Sequence, residues 1–169
     1  MQLLRWTCGL CVLFAATLAI SADEGPTAKS SENRYTYATG GVRDQIEGGA
    51  GAKWKLLVDE STLGGREMEL AEVVIPADTV VRTHSHGAVE IIYVLAGTYG
   101  HEVNGKLYRL QPGMVGIVRP GDKTRHIASK AGETRLLIMW SPPGEAARLL
   151  PAGKGTAVPP LTPVESLDP

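Results

Sequence analysis

Cysteine is all but missing from this chain of 169 residues, which holds two, Cys8 and Cys11. Both fall in the uncharged and mostly apolar stretch Cys8 to Ile20, which follows Arg5 and precedes the small pair Ser21-Ala22 and the acidic pair Asp23-Glu24. A charged start, an apolar run and small residues at its end predict a secretory signal over residues 1–22 and an exported, periplasmic protein. Cys8-Gly-Leu-Cys11 has the form of a redox or zinc motif, but inside such a run it is not placed to fold onto a catalytic domain. Cleavage near Ala22 leaves no cysteine, which excludes disulfides and thiolate metal ligands. The run is also too short to span a bilayer comfortably, so no stable membrane association is expected after cleavage. An uncleaved N-terminal anchor is the alternative. Excess charge is lacking too, with Lys+Arg 17 against Asp+Glu 18 and a net charge of −1. No basic patch argues for nucleic acid, and no amphipathic helix argues for a membrane surface. No internal repeat is present.

What is there begins with punctuation. Residues 23–52 are rich in Gly, Ser, Glu, Lys and Thr and read as a flexible, exposed N-terminal lead-in. From Ser141 onward lie seven of the eleven prolines, which reads as a Pro/Gly-rich tail over 144–169 with at most a short turn of helix at Gly144 to Leu150. Between them, residues 53–143 read as short strands divided by turn signals, the all-β barrel or sandwich pattern. The expected strands are Lys53 to Val58, Glu67 to Ile75, Val81 to Ser85, Val89 to Leu95, Thr98 to Val103, Lys106 to Leu110, Val115 to Val118, Arg125 to Ala128 and Thr134 to Trp140. Asn104-Gly105 predicts a type I′ hairpin, since both central residues of that turn need positive φ. Its register pairs Val103 with Lys106, His101 with Tyr108 and Tyr99 with Leu110.

The chain has four histidines, and three of them fall in one pattern. On a strand, residues i and i+2 project to one side, so His84 and His86 can aim two imidazoles at one point. Gly87-Ala88 can turn the chain so that Glu90 returns to that side, sharing its face with Ile92 and Val94 while Tyr93 points away. His126 arrives about 40 residues later, behind the turn Pro120-Gly121. Surface polar residues, or core histidines with hydrogen-bond partners, are the alternative for a lone His-x-His. The set His84, His86, Glu90 and Gly97, followed by Gly113, Pro120, Gly121 and His126, resembles the two motifs of the cupins. In the second motif the Gly113 to Pro120 and Pro120 to His126 intervals are longer than usual, and Lys130 stands near where an Asn usually follows the histidine.

The resemblance covers roughly residues 54–143. It implies a single cupin-type antiparallel β-barrel, that is, a double-stranded β-helix or RmlC-like jelly roll, with one divalent metal on His84, His86, Glu90 and His126. Histidine with carboxylate suits Zn, Fe, Mn, Ni or Cu. Two further residues are catalytic candidates. His101 shares the face of Tyr99 and Leu110; it is either a substrate-contacting base or a buried residue bonded to Tyr108 or the backbone. Arg82 shares the parity of His84 and His86 and is either a clamp for a substrate carboxylate or phosphate or half of a rim ion pair. The expected function is a metal-dependent enzyme acting on a small oxygenated organic molecule, as a dioxygenase or by lyase or isomerase chemistry. The alternatives are a non-catalytic binding protein for a sugar or carboxylate and a metal-buffering protein. Expected partners are a small-molecule substrate or ligand and, as an alternative to a monomer, a second copy in a homodimer. With one Arg before its apolar run, the signal lacks the twin-arginine pair. The chain is therefore expected to cross unfolded and take its metal outside, where Zn and Cu outcompete Mn and Fe.

Overall fold

The computed structural model describes residues 36–166 and arranges them in two antiparallel sheets around one core. In chain order the elements are β1 (Arg43–Glu47), a 3-10 turn (Gly49–Gly51), β2 (Lys53–Val58), α1 (Glu60–Leu63), β3 (Glu69–Ile75), β4 (Val89–Ala96), β5 (Tyr99–Val103), β6 (Lys106–Leu110), β7 (Val115–Val118), β8 (Thr124–Ala128), β9 (Thr134–Ser141), α2 (Glu145–Leu149) and β10 (Thr156–Ala157). The larger sheet runs β10-β1-β2-β3-β9-β4-β7 and the smaller β6-β5-β8. This is the jelly-roll arrangement that the resemblance to the cupins implies, and it bears out the all-β pattern of short strands and turns.

Alternation builds the core. In β3, Glu69, Ala71, Val73 and Ile75 are buried while Leu70, Glu72 and Val74 are half-buried, the period of two that a pleated strand imposes. Ile92 and Val94 of β4, Leu136 and Trp140 of β9, and Tyr99 of β5 meet from the two sheets. At Asn104-Gly105 the φ angles are 49° and 78°, and the hairpin has the register expected for a two-residue type I′ turn. Gly97 follows β4 at φ 82°, where a Cβ would come to 2.3 Å from the Glu133 carbonyl oxygen, so neither the turn nor the contact admits a larger residue.

Three expectations need correction. First, Val81 to Ser85 is not a strand. The segment touches β8 through two bridges, Val80 with Ile127 and His84 with Thr124. Four steps separate the first pair members and three the second, so the segment carries one surplus residue, as in a β-bulge, and the strict alternation assumed for Arg82, His84 and His86 does not hold. Second, the lead-in expected over 23–52 is not an arm throughout. Residues 43–47 form β1, pair with β2 and β10, and bury Ile46 completely. Third, the tail expected over 144–169 does more than form the short helical turn expected at Gly144 to Leu150, which α2 bears out: Glu145 and Ala146 are buried, Leu150 joins the core, and β10 extends the larger sheet beside β1. Both terminal pieces have weak local patterns and are held in part by partners far along the chain, β1 by β10 and Glu145 by His86, which a period-based reading cannot see. Other strands match within a residue or two at their ends. The predicted signal over 1–22, with Cys8 and Cys11, lies outside the described residues.

Candidate metal centre

The candidate ligands reach the centre from three supports. His84 and His86 come from the bulged segment before β4, His126 from the middle of β8, and Glu90 from the second position of β4. The ligating nitrogens of His84, His86 and His126 all lie within 4.8 Å of one another, so these three imidazoles can hold a metal ion. His84 Nε2 and His126 Nε2 are 3.2 Å apart. Beside them, Glu90 Oε1 is 3.4 Å from His86 Nε2, and Glu90 Oε2 is 4.0 Å from His126 Nε2.

Hydrogen bonds at the far side of each ring set which nitrogen faces inward. His84 Nδ1 donates to the Arg82 carbonyl at 2.8 Å, leaving its Nε2 lone pair toward the cluster. His86 Nδ1 donates to Glu145 Oε2 at 3.1 Å. The other oxygen of Glu145 accepts the Gly87 N–H at 2.9 Å, and Arg148 clamps the same carboxylate with Nε at 2.8 Å. Arg148 Nη2 also comes within 3.2 Å of His86 Nδ1, but both groups carry protons that the carboxylate takes. The Nδ1 of His126 bonds to the Tyr99 hydroxyl.

The titration behaviour follows from burial. His86 is lowered by burial, which its bond to Glu145 only partly offsets. His126 is held well below the ordinary value by burial and then by His84, His101 and His86. Burial pushes Glu90 up to about 8 against the pull of the Trp140 indole N–H, which donates to its Oε1 at 3.0 Å. Burial alone would raise Glu145, but bonds from His86, Arg148 and Gly87 outweigh it and hold it low.

The donor set fits a divalent cation on a direct observation. His86 Nε2 and Glu90 Oε2 are buried with no hydrogen-bond partner, although a buried polar atom nearly always has one. A cation ringed by imidazole and carboxylate would satisfy both. The centre opens into a cavity of about 600 Å³ whose remaining wall includes Trp54, Val73, Ile75, Ile138 and Trp140. Trp54 and Trp140 stack with ring centres 6.0 Å apart.

The two catalytic candidates part company. Arg82 lines this cavity, with its side chain exposed rather than inward because the bulge has shifted it, and no ion pair holds it among the described residues. His101 does not line it. The ring is buried and bonds to the Tyr99 hydroxyl at 3.4 Å instead of to Tyr108, and it faces a separate cavity. Glu145, Tyr99 and Trp140, which orient the cluster, were not singled out from the sequence. Tyr99 was within reach, since it shares a strand face with His101; Glu145 had no local signal, standing after Gly144 in a proline-rich stretch.

Comparison with known proteins agrees with the fold. A family model described as a cupin domain matches residues 71–142. An RmlC-like cupin from Shewanella frigidimarina superposes with a TM-score of 0.54 at 18% identity, covering 67% of this chain and 94% of that one. A cupin-like protein from Thermotoga maritima gives 0.53 at 21% identity, covering 59% and 77%. The polyketide cyclase RemF from Streptomyces resistomycificus gives 0.50 at 17% identity, covering 72% and 78%. None of the curated proteins matches the chain.

Proposed function

We propose that this chain, whose residues 71–142 match the cupin domain, is a metal-dependent enzyme for a small oxygenated organic molecule, with His84, His86, Glu90 and His126 as the ligands. One observation carries the reading: two imidazole nitrogens meet at 3.2 Å while a third imidazole and a carboxylate oxygen beside them are buried and unpaired. Glu90 supplies a negative charge for a divalent ion beside three imidazoles. A bound divalent ion supplies Lewis acidity toward a substrate oxygen. The chain's own residues do the rest. The rings are fixed by Arg82, Glu145 and Tyr99; Trp54, Trp140 and Ile138 exclude water around an apolar substrate body; Arg82 at the cavity wall offers a planar pair of donors to a carboxylate or phosphate.

Oxygenation and lyase or isomerase chemistry both suit such a site. Export by the segment at 1–22 belongs to the same proposal, and with it uptake of Zn or Cu outside the cytoplasm. The homodimer has its support on the outer face of the larger sheet. There Ile91 pairs with Ile117 and Tyr93 with Val115; Ile117, Tyr93 and Val115 are 57, 40 and 50% exposed, and β7, which carries Val115 and Ile117, is the edge strand. Elemental analysis of protein from its native compartment, followed by oxygen-consumption and substrate-conversion assays on the metal-loaded form, tests the function. Metal below 0.1 equivalent after mild purification, with no uptake of added Zn²⁺, refutes it. Full loading with no turnover over a broad panel of carboxylates and sugars, but with saturable binding of one of them, replaces the enzyme by a binding protein.

A further inference from the structure

We propose that Tyr99 and His101 form a hydrogen-bond chain to His126 that reverses direction when the histidine cluster takes up a cation, so that occupancy of one cavity is expressed as the tautomer of His101 in another. The inference rests on the metal reading above and goes beyond it.

Tyr99 and His101 stand two apart on β5, and both are buried. The Tyr99 hydroxyl bonds to His126 Nδ1 and lies 3.4 Å from His101 Nδ1. At the other end of its ring, His126 Nε2 is 3.2 Å from His84 Nε2. The four groups therefore form one continuous line. Beyond it, His101 Nε2 is buried with no hydrogen-bond partner; burial lowers the ring's proton affinity and the Ile117 backbone partly offsets this. Room for this ring edge exists because β7 has Gly116 opposite it, where a Cβ would come within 2.9 Å of Nε2. His101 lines a cavity of about 520 Å³ with Lys106, Tyr108 and Ile117, and that cavity shares no lining residue with the one at the cluster.

Counting protons leaves two arrangements. His84 commits Nδ1–H to the Arg82 carbonyl, so its Nε2 only accepts. In the first arrangement His126 Nε2–H donates to His84, the Tyr99 hydroxyl donates to His126 Nδ1, and His101 Nδ1–H donates to the Tyr99 oxygen; His101 Nε2 is then a bare acceptor. In the second, His126 Nδ1–H donates to Tyr99, Tyr99 donates to His101 Nδ1, and His101 Nε2 carries the hydrogen. Each arrangement holds the same three protons, so their exchange is a tautomerisation with no uptake or release. Only the second leaves a lone pair on His126 Nε2 for a cation. Occupancy selects it, and the buried Nε2 of His101 changes from acceptor to donor. By reciprocity, a hydrogen-bond acceptor held against His101 Nε2 favours cation binding at the cluster.

Long-range ¹H–¹⁵N spectra of histidine-labelled protein, with and without saturating Zn²⁺, read both tautomers directly. Metal-free protein is expected to show His101 protonated at Nδ1, and the Zn²⁺ form to show it protonated at Nε2, in step with loss of the Nε2 proton from His126. In Tyr99→Phe, His101 should no longer respond, and Zn²⁺ affinity should fall about 10–100-fold, as for loss of a group that orients a ligand. Should that buried substitution prevent folding, His101→Gln and His101→Leu serve in its place: Gln, which still offers an acceptor to Tyr99, should hold affinity within about twofold, and Leu should not. His101 unchanged while the His84 and His126 nitrogens report ligation, or Gln and Leu variants alike, overturns the inference and leaves the metal reading standing. Wild-type protein that binds no Zn²⁺ overturns both.

Discussion

Replacing Glu90 by Gln isolates the least comfortable charge in the barrel. Its carboxyl is 1% exposed, and burial pushes its pKa from the ordinary 4.5 to about 8 despite the Trp140 N–H. A pKa higher in the folded than in the unfolded chain means that the folded form holds the proton more tightly. The stability this contributes is complete below about pH 4.5 and is lost as pH rises through 8. With about 1.4 kcal/mol for each tenfold difference in proton affinity, the metal-free protein should lose on the order of 3 kcal/mol by pH 7 and about 5 kcal/mol above pH 8. That is a large part of a typical folding stability of about 5–15 kcal/mol. His86, His101 and His126 act in the opposite sense, since their lowered pKa values give stability that is present above about pH 6.5 and lost below it. Glu90→Gln keeps the shape and the acceptor for Trp140 but cannot ionise, so subtracting its curve removes the histidine contribution. Urea unfolding in chelator between pH 5 and pH 9 supplies both curves. The wild-type minus Gln difference should fall by on the order of 3 kcal/mol between pH 5 and pH 8, and saturating Zn²⁺ should abolish that fall in the wild type alone. Parallel curves for the two proteins would refute the argument.

Four further outcomes are expected. His126→Ala and His84→Ala should each remove most of the bound metal, measured by elemental analysis after equilibrium dialysis. Glu145→Ala frees the His86 ring and should weaken Zn²⁺ binding about 10–100-fold in a chelator competition, with Glu145→Gln recovering part of the loss. Gly97→Ala places a methyl against the Glu133 carbonyl at positive φ and should cost about 3 kcal/mol in urea unfolding; a cost under about 1 kcal/mol would show that the turn yields. Ile117→Lys should turn a dimer into a monomer in sedimentation velocity without changing metal content, and a wild-type monomer at about 100 μM would dismiss the paired outer face.

The parts of the fold legible in the sequence are those whose cause is local. The hairpin at Asn104-Gly105 needs only the φ preferences of two residues, and β3, β4 and β9 announce themselves by alternation. The cluster was legible because His84, His86 and Glu90 lie within one turn of chain and His126 behind a Pro-Gly corner. What failed was long-range. Parity placed Arg82 beside His84 and His86, but the surplus residue opposite Thr124 to Ile127 breaks parity and leaves it at the rim. β1 has a single buried apolar residue, Ile46, and gains its place only from β2 and β10. Glu145 acquires its role by meeting a ring 59 positions earlier, which nothing in its neighbourhood announces.

That last separation has a consequence in time. A ribosome delivers His84, His86, Glu90 and His126 before it delivers Glu145 and Arg148, and β10 comes later still. Until α2 arrives, His86 lacks the carboxylate that turns its Nε2 inward, and β1 lacks its outer neighbour. The order of synthesis thus acts as a timer: the barrel can collapse on its apolar faces first, while the ring of His86 is locked only once α2 has been made.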